Sequence, residues 1–256
     1  MSRQSVAILL TSKPNYDEFA LKYFILNLNK IQNYYEFFFP EIHSYNYNGQ
    51  YYPTDLLFSS FENVKSTINF ENQPDYLINI ITSTIGENLF FTCRGNVSFI
   101  TTHTWEKYFS PPSLFEYLLH CIIANLLFMN EKVNLHSHHD TRGCYFDYTF
   151  FKTDDKVDIT LGYICDKCKK EIIENVGEEY FREITNIINR EWIGELNKFG
   201  SVAYNLKKFF KFDIDKDSGF NKTNWDKIKE NFYEIPKEII VLIIGAIIGV
   251  LITHII

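Results

Sequence analysis

Cysteine and histidine residues in one part of the chain have the types and the spacing of a metal site. Cys165 and Cys168 form a CxxC motif, and Cys144 lies upstream, just after the histidine-rich stretch HSHHD. Two thiolates at CxxC spacing can bind one zinc ion from a single turn, so two further ligands are needed to complete a tetrahedron. We predict that His139 and Cys144 supply them. The expected centre is a closed structural zinc site with three cysteines and one histidine.

The choice of the histidine stays open at this stage. Three other residues could replace His139 as the fourth ligand: Cys121, His136 and His138. Asp140 and Asp147 lie close in sequence and could orient a ligand imidazole by accepting its second N–H. The apolar run Val6–Leu10 is too short for a signal-peptide core, so we expect the chain not to be exported. An odd number of cysteines, five, in such a chain argues against a disulfide framework.

The spacing of these residues resembles that of archaemetzincin-type zinc metalloproteases. That family follows a His-Cys pair with a Cys-x-Met element and then with CxxC. This chain has His138-His139, four residues, Cys144-Tyr-Phe146, eighteen residues, and then the CxxC motif. The similar stretch covers roughly residues 75–170. It implies a metzincin-like α/β fold that contains a structural zinc ion.

The catalytic motif of that family is missing. HExxH places two histidines one helical turn apart and uses the glutamate as general base. If His120 is the first histidine, Cys121 replaces the base; if it is the second, Glu116 replaces the first histidine and Tyr117 the base. We therefore predict a non-catalytic protein. The alternative is a zinc-dependent metallopeptidase in which Glu116, His120 and His138 gather a second metal.

Glu116 and His120 also have structural interpretations. The sequence Ser113-Leu-Phe-Glu116 before an apolar run is typical of a capping box at the start of a helix. His120 on an apolar helix is typical of a core histidine with a hydrogen-bonded partner. These interpretations compete with metal binding at the same residues.

An acidic loop over residues 213–224 has some features of an EF-hand calcium loop. Asp213, Asp215 and Asp217 alternate along it. The sixth position is Ser218 instead of glycine, and the twelfth is Asn224 instead of a bidentate glutamate. We expect a solvated acidic loop, with calcium binding left open.

The C-terminal run Ile239–Ile256 contains no formally charged side chain. Its eighteen residues span roughly 27 Å as a helix, close to the hydrocarbon thickness of a bilayer. We predict a single transmembrane anchor over residues 238–256, with most of the chain on the cytoplasmic side because lysines precede the run. Gly245 and Gly249 form a GxxxG pair that could bring two anchors together in a homo-oligomer.

The remaining sequence predicts a mixed α/β fold. Expected strands are Val6–Thr11, Tyr35–Phe39, Asp75–Thr84, Leu89–Cys93 and Val97–Thr102, and expected helices are Asp17–Gln32, Ser113–Met129 and Ile172–Phe199. The stretch Glu131–Lys170 is expected to be irregular. We predict a zinc-binding α/β domain over residues 1–172, a helical stalk over 173–234, and the anchor.

Composition limits the function classes. The net charge of −7 argues against a broad duplex nucleic-acid interface, because phosphate binding needs clustered Lys and Arg. The leading hypothesis is a sensor, scaffold or membrane effector whose partner the sequence does not identify. Aromatic residues make up 17% of the chain, so ligand recognition by the aromatic-rich N-terminal half is a further hypothesis.

Overall fold

A central sheet organises the computed structural model, which describes residues 3–105, 111–133, 135, 137–138, 143–148 and 152–221. The strands of this part are β1 (Gln4–Leu10), β2 (Tyr35–Phe38), β3 (Tyr51–Tyr52), β4 (Tyr76–Ile81), β5 (Thr84–Ile85), β6 (Phe91–Arg94) and β7 (Val97–Thr101). Five of them form one sheet in the order β2-β1-β4-β7-β6, and β3 pairs with β5 separately. In the larger sheet only β6 runs antiparallel to its neighbour, so the predicted mixed α/β class is confirmed.

Both faces of this sheet are covered, as a mainly parallel sheet requires. Alternate residues of β1 enter different hydrophobic clusters: Val6 and Ile8 belong to the larger one, and Ala7 and Leu9 to the smaller one. All six residues of β4 are buried. The apolar runs that predicted these strands are continuous because both faces of the strands are buried.

The helices of the described residues are α1 (Glu18–Leu26), α2 (Thr54–Ser66), α3 (Leu114–Met129), α4 (Lys152–Leu161), α5 (Asp166–Asn175), α6 (Glu178–Ile188) and α7 (Val202–Phe210). Leu57 and Phe61 place α2 in the smaller cluster. Residues of α1, α3, α5, α6 and α7 contribute to the larger one. In α3, fourteen of the sixteen residues are buried, so this helix lies at the centre of the larger cluster.

The predicted capping box begins α3. The backbone N–H of Glu116 donates to Ser113 Oγ at 3.4 Å, and the backbone N–H of Ser113 donates to Glu116 Oε2 at 2.7 Å. Two N–H groups at the helix start thus gain partners, as the motif predicts.

The stretch Glu131–Lys170 was expected to be irregular, and this prediction is wrong because it contains α4 and the first turn of α5. The segment KTDDKVDITL has few apolar residues, so packing and not an apolar pattern stabilises the helix. The expected single helix Ile172–Phe199 is also interrupted. Gly177 adopts φ +114°, which favours glycine, and separates α5 from α6.

The chain from residue 173 to residue 220 packs against the same core as the preceding residues. Ile184 of α6 and Leu206 of α7 lie in the larger cluster together with Leu118 of α3. One compact unit ends at Phe220. The described part of the expected stalk is therefore part of the domain, because its amphipathic helices bury their apolar faces on it.

The expected anchor lies outside the described residues, as do Gly245 and Gly249. Within the described part of the chain, no helix is both long enough and apolar enough to cross a bilayer.

Candidate metal centre

Four side chains from three segments of the chain meet at the start of α5. They are His138, Cys144, Cys165 and Cys168, and their potential ligand atoms all lie within 4.8 Å of one another. The three thiols are at most 3% exposed. Zn–S distances of about 2.3 Å and Zn–N distances of about 2.0 Å place tetrahedral ligands less than about 4 Å apart, so this set is close to the size that zinc requires.

The CxxC motif occupies the N-terminus of α5. Cys165 is the N-cap residue, and Cys168 is the third residue of the helix. Backbone N–H groups and the positive end of the helix dipole stabilise thiolates at this position. The helix start therefore presents two sulfurs side by side, at the spacing that one metal ion requires.

Cys144 reaches the motif through a short pairing of two loop segments. The backbone N–H of Tyr145 donates to the carbonyl of Tyr163 at 2.6 Å. The backbone N–H of Cys165 donates to Cys144 Sγ at 3.4 Å. The backbone itself thus holds the third sulfur beside the CxxC turn.

His138 completes the set through an orienting carboxylate. Its Nδ1 lies 2.9 Å from Asp147 Oδ1, and its Nε2 lies 3.0 Å from Cys168 Sγ and 3.5 Å from Cys165 Sγ. Asp147 accepts the Nδ1 proton and leaves the Nε2 lone pair facing the thiols. This contact is the one that the sequence predicts for Asp147.

The same carboxylate also orders the loop that carries Cys144. Asp147 Oδ2 accepts the backbone N–H groups of Gly143 and Cys144, both at 3.0 Å. Gly143 has φ +109°, a conformation that favours glycine. Asp147 therefore fixes the imidazole and one thiol ligand together.

The Cys144 and Cys168 thiols have opposite pKa shifts. A hydrogen bond from the Cys168 thiol, together with backbone N–H groups of Cys165 and Phe146, lowers the pKa of Cys144 to about 5. The pKa of Cys168 is raised far above its ordinary value, first by the hydrogen bond to Cys144 and then by burial. Zinc binding needs thiolates, so it must displace the proton that the raised pKa keeps on Cys168.

The donor chemistry fits zinc: three sulfurs, one oriented imidazole, and no ligand position left over. The histidine that the structure brings to the thiols is His138, which was an alternative to His139. His139, His136 and Asp140 lie outside the described residues. Cys121, on α3, is not part of the cluster.

The residues expected to gather a second metal have separate roles. Glu116 caps α3 and accepts a 2.6 Å hydrogen bond from Arg190 Nη1. His120 Nε2 lies 3.3 Å from Asp155 Oδ1, and His138 belongs to the thiol cluster. Among the residues that the structure describes, no other group of three or more ligand atoms is compact enough to hold a metal.

The His120–Asp155 pair lines a cavity of about 240 Å³ next to α3. Asp147 also lines it, so this residue contacts both the cluster and the cavity. Sequence analysis missed Asp155, because an acidic residue in a polar segment gives no signal of burial. Nearby, burial and the carboxylates of Asp155 and Asp147 raise the pKa of Asp158 to about 7.

The described part of the acidic loop has internal partners. The backbone N–H of Asp213 donates to Asp217 Oδ2 at 2.8 Å, and Lys207 Nζ donates to Asp213 Oδ2 at 2.9 Å. Residues 222–224 lie outside the described residues, so the calcium hypothesis remains untested there.

No protein-family model matches this chain, and no curated protein matches it significantly. A search of solved structures finds archaemetzincin from Methanopyrus kandleri, with 12% sequence identity and a TM-score of 0.43. The match covers 68% of this chain and 96% of the archaemetzincin chain. It supports a weak resemblance to archaemetzincins and does not establish membership of that family or its activity.

Proposed function

We propose that the chain is a zinc-stabilised, non-catalytic binding domain that acts as a sensor, scaffold or effector at a membrane. The observation that supports it is the closed donor set. His138 and three buried cysteines would fill all four positions of a tetrahedral zinc ion. A catalytic zinc keeps one position for water or substrate, whereas a structural zinc does not.

The carboxylate beside the cluster supports the same conclusion. Both oxygens of Asp147 accept hydrogen bonds that hold the cluster, from His138 and from the backbone of Gly143 and Cys144. A general base needs an oxygen that can take a proton from water. Asp147 is therefore suited to position ligands and not to activate water.

Metal analysis of the full chain in mild detergent tests this function. We expect about one zinc per chain, a lower Tm after chelation, and no change in zinc content for His120→Ala. The zinc content depends on donors that His120 does not contact. Two zinc ions per chain, or peptidase activity that disappears in Glu116→Gln, would contradict the proposal.

Membrane attachment is the second part of the proposal. The uncharged run of residues 239–256 supports it, since its length suits a bilayer. In vesicle flotation we expect the full chain to float and a chain ending at residue 237 to remain at the bottom. Equal behaviour of the two chains would remove the anchor from the proposed function.

Self-association through the anchor is tested separately. Gly245→Leu with Gly249→Leu should reduce cross-linked dimers in vesicles, because large side chains keep two helices apart. Ala246→Leu is the control, since neighbouring residues of a helix point in different directions and the added bulk would leave the glycine face open. Undiminished dimers in the double variant would show that the glycine pair is not the contact.

A further inference from the structure

We propose that the cavity between α3 and the segment 143–148 binds a small organic cation with an aromatic or apolar body, held by His120 and Asp155. This goes beyond the zinc-stabilised domain proposed above, because it concerns a second site whose ligand does not contact the metal. The cavity has about 240 Å³ of space. Typical drug-sized pockets begin at roughly 300 Å³, so the occupant must be small.

Two residues that line the cavity each have a buried polar atom without a hydrogen-bond partner in the described structure. His120 Nδ1 and Asp155 Oδ2 make no hydrogen bond within the structure described, although their residues are only 4% and 2% exposed. An unsatisfied polar atom costs about 1–3 kcal/mol of stability. Since buried polar groups are nearly always paired, these two atoms indicate a ligand that supplies the missing bonds.

The pair also determines which groups the ligand must carry. His120 Nε2 lies 3.3 Å from Asp155 Oδ1, a contact that a proton on Nε2 would stabilise. In the neutral ring Nδ1 is then an acceptor, and Asp155 Oδ2 is also an acceptor. A ligand that satisfies both must present N–H or O–H donors.

Charge favours a cation among such donors. The cavity lining includes the carboxylates of Glu87, Asp147 and Asp155 and has no lysine or arginine among its described residues. The described lining therefore has an excess of negative charge. A protonated amine or amidine would offset it, whereas a carboxylate would add to it.

Aromatic rings form much of the remaining wall. They belong to Phe90, Phe91, Phe128, Tyr145, Phe146 and Tyr148. Tyr145 packs edge-on to His120 with ring centroids 4.3 Å apart. Ring faces attract cations and stack with flat ligands, so they suit an aromatic body that carries the positive group.

A metal is a weaker alternative occupant. His120 and Asp155 are not joined by a third ligand atom close enough for a compact group, whereas the thiol cluster meets that criterion among the described residues. The aromatic walls also offer no ligand that a hard cation prefers. An organic cation uses both the acceptors and the rings.

The test titrates the zinc-loaded full chain with benzamidine, using benzoate as an anion of similar shape and benzyl alcohol as a neutral probe. We expect saturable calorimetric binding of benzamidine at millimolar or lower concentration, with a rise in Tm. Benzoate should not bind. No binding of benzamidine, or equal binding of benzoate, would overturn the proposal.

Two variants locate the binding. Asp155→Asn keeps the side-chain size and should weaken benzamidine binding at least about tenfold, because the ion pair with the ligand is lost. Asp154→Asn removes the same charge from an exposed position of α4 and should change the affinity less than about twofold. Equal affinities in these two variants would place the ligand elsewhere.

Ala124→Leu provides a second criterion should Asp155→Asn fail to fold. Ala124 lines the cavity, so a larger side chain should exclude benzamidine without removing His120 or Asp155. Retained binding in this variant would overturn the proposal. Zinc content is measured in every variant, because normal zinc with no ligand binding would refute this site alone and leave the proposed structural zinc intact.

Discussion

The thiol cluster and the His120 cavity are neighbouring polar regions that differ in whether their polar atoms have partners. In the cluster, Asp147 orients His138 and accepts two backbone N–H groups, and the ligand atoms face one another. In the cavity, His120 Nδ1 and Asp155 Oδ2 have no partner in the described structure. A complete donor set suits a structural ion, whereas an incomplete one suits an exchangeable ligand.

The two regions share one segment of chain. Residues 144–147 supply Cys144 to the cluster, while Tyr145, Phe146 and Asp147 form part of the cavity wall. Zinc at the cluster would therefore hold that wall in place. A structural cluster should lose stability with any of its ligands, and an excess of carboxylates beside the cavity should make stability depend on pH.

The largest effect is expected for Cys168→Ser. Losing one of three thiolate ligands should abolish stoichiometric zinc binding and lower the free energy of unfolding by at least about 3 kcal/mol. Zinc analysis and urea unfolding measure both quantities. Cys93→Ser is the control, because this half-buried thiol on β6 lies outside the cluster. Full zinc content and stability in Cys168→Ser would mean that the cluster is not structural.

A smaller loss is expected for Asp147→Asn. The amide cannot accept all the hydrogen bonds that the carboxylate accepts from His138 and the loop, so zinc affinity should fall about 10–100-fold while the fold persists. Competition with a chromogenic chelator measures the affinity. Asp166→Asn, an exposed substitution in the CxxC turn, should have a much smaller effect. If both variants lose affinity equally, Asp147 acts only through its charge.

Asp158→Asn should change the pH dependence of stability. The pKa of Asp158 is raised to about 7 in the folded state, against about 3.9 in the unfolded chain. The folded state therefore binds the extra proton, and its stability falls as pH rises between these values. The variant should be more stable than the parent by on the order of 1 kcal/mol at about pH 8, with no difference near pH 4.

Thermal unfolding at about pH 4 and about pH 8 measures this pH effect. Asp154→Asn, at an exposed position of the same helix, should not reproduce it. A difference between Asp158→Asn and the parent that is the same at both pH values would contradict the assigned cause.

The smallest effect is expected for Glu116→Gln. The substitution weakens the hydrogen bond with Arg190 and part of the capping box, at a cost of about 1 kcal/mol, and leaves zinc content unchanged. Glu174→Gln, which disrupts an exposed pair with Lys170, should cost less than about 0.5 kcal/mol. Loss of zinc in Glu116→Gln would restore the hypothesis that this residue is a metal ligand.

Local patterns in the sequence were sufficient for several elements. Apolar runs predicted β1, β4 and β7 because strands covered on both faces need continuous hydrophobic residues. Ser113 and Glu116 predicted the start of α3, since a capping box depends on residues three positions apart. The CxxC motif predicted two of the four metal ligands, because its cysteines are also three positions apart.

Tertiary structure decided what local patterns could not. His138 and His139 are adjacent and chemically identical, and the pairing of His138 with Asp147 brings its imidazole to the thiols. α4 has a polar sequence, so only its packing beside α3 buries Asp155 against His120. The sequence by itself determined the five strands of the larger sheet, the start of α3 and the thiol pair through short-range spacing. The choice of histidine, the cavity and the docking of residues 173–220 depend on long-range contacts, whose partners no local pattern identifies.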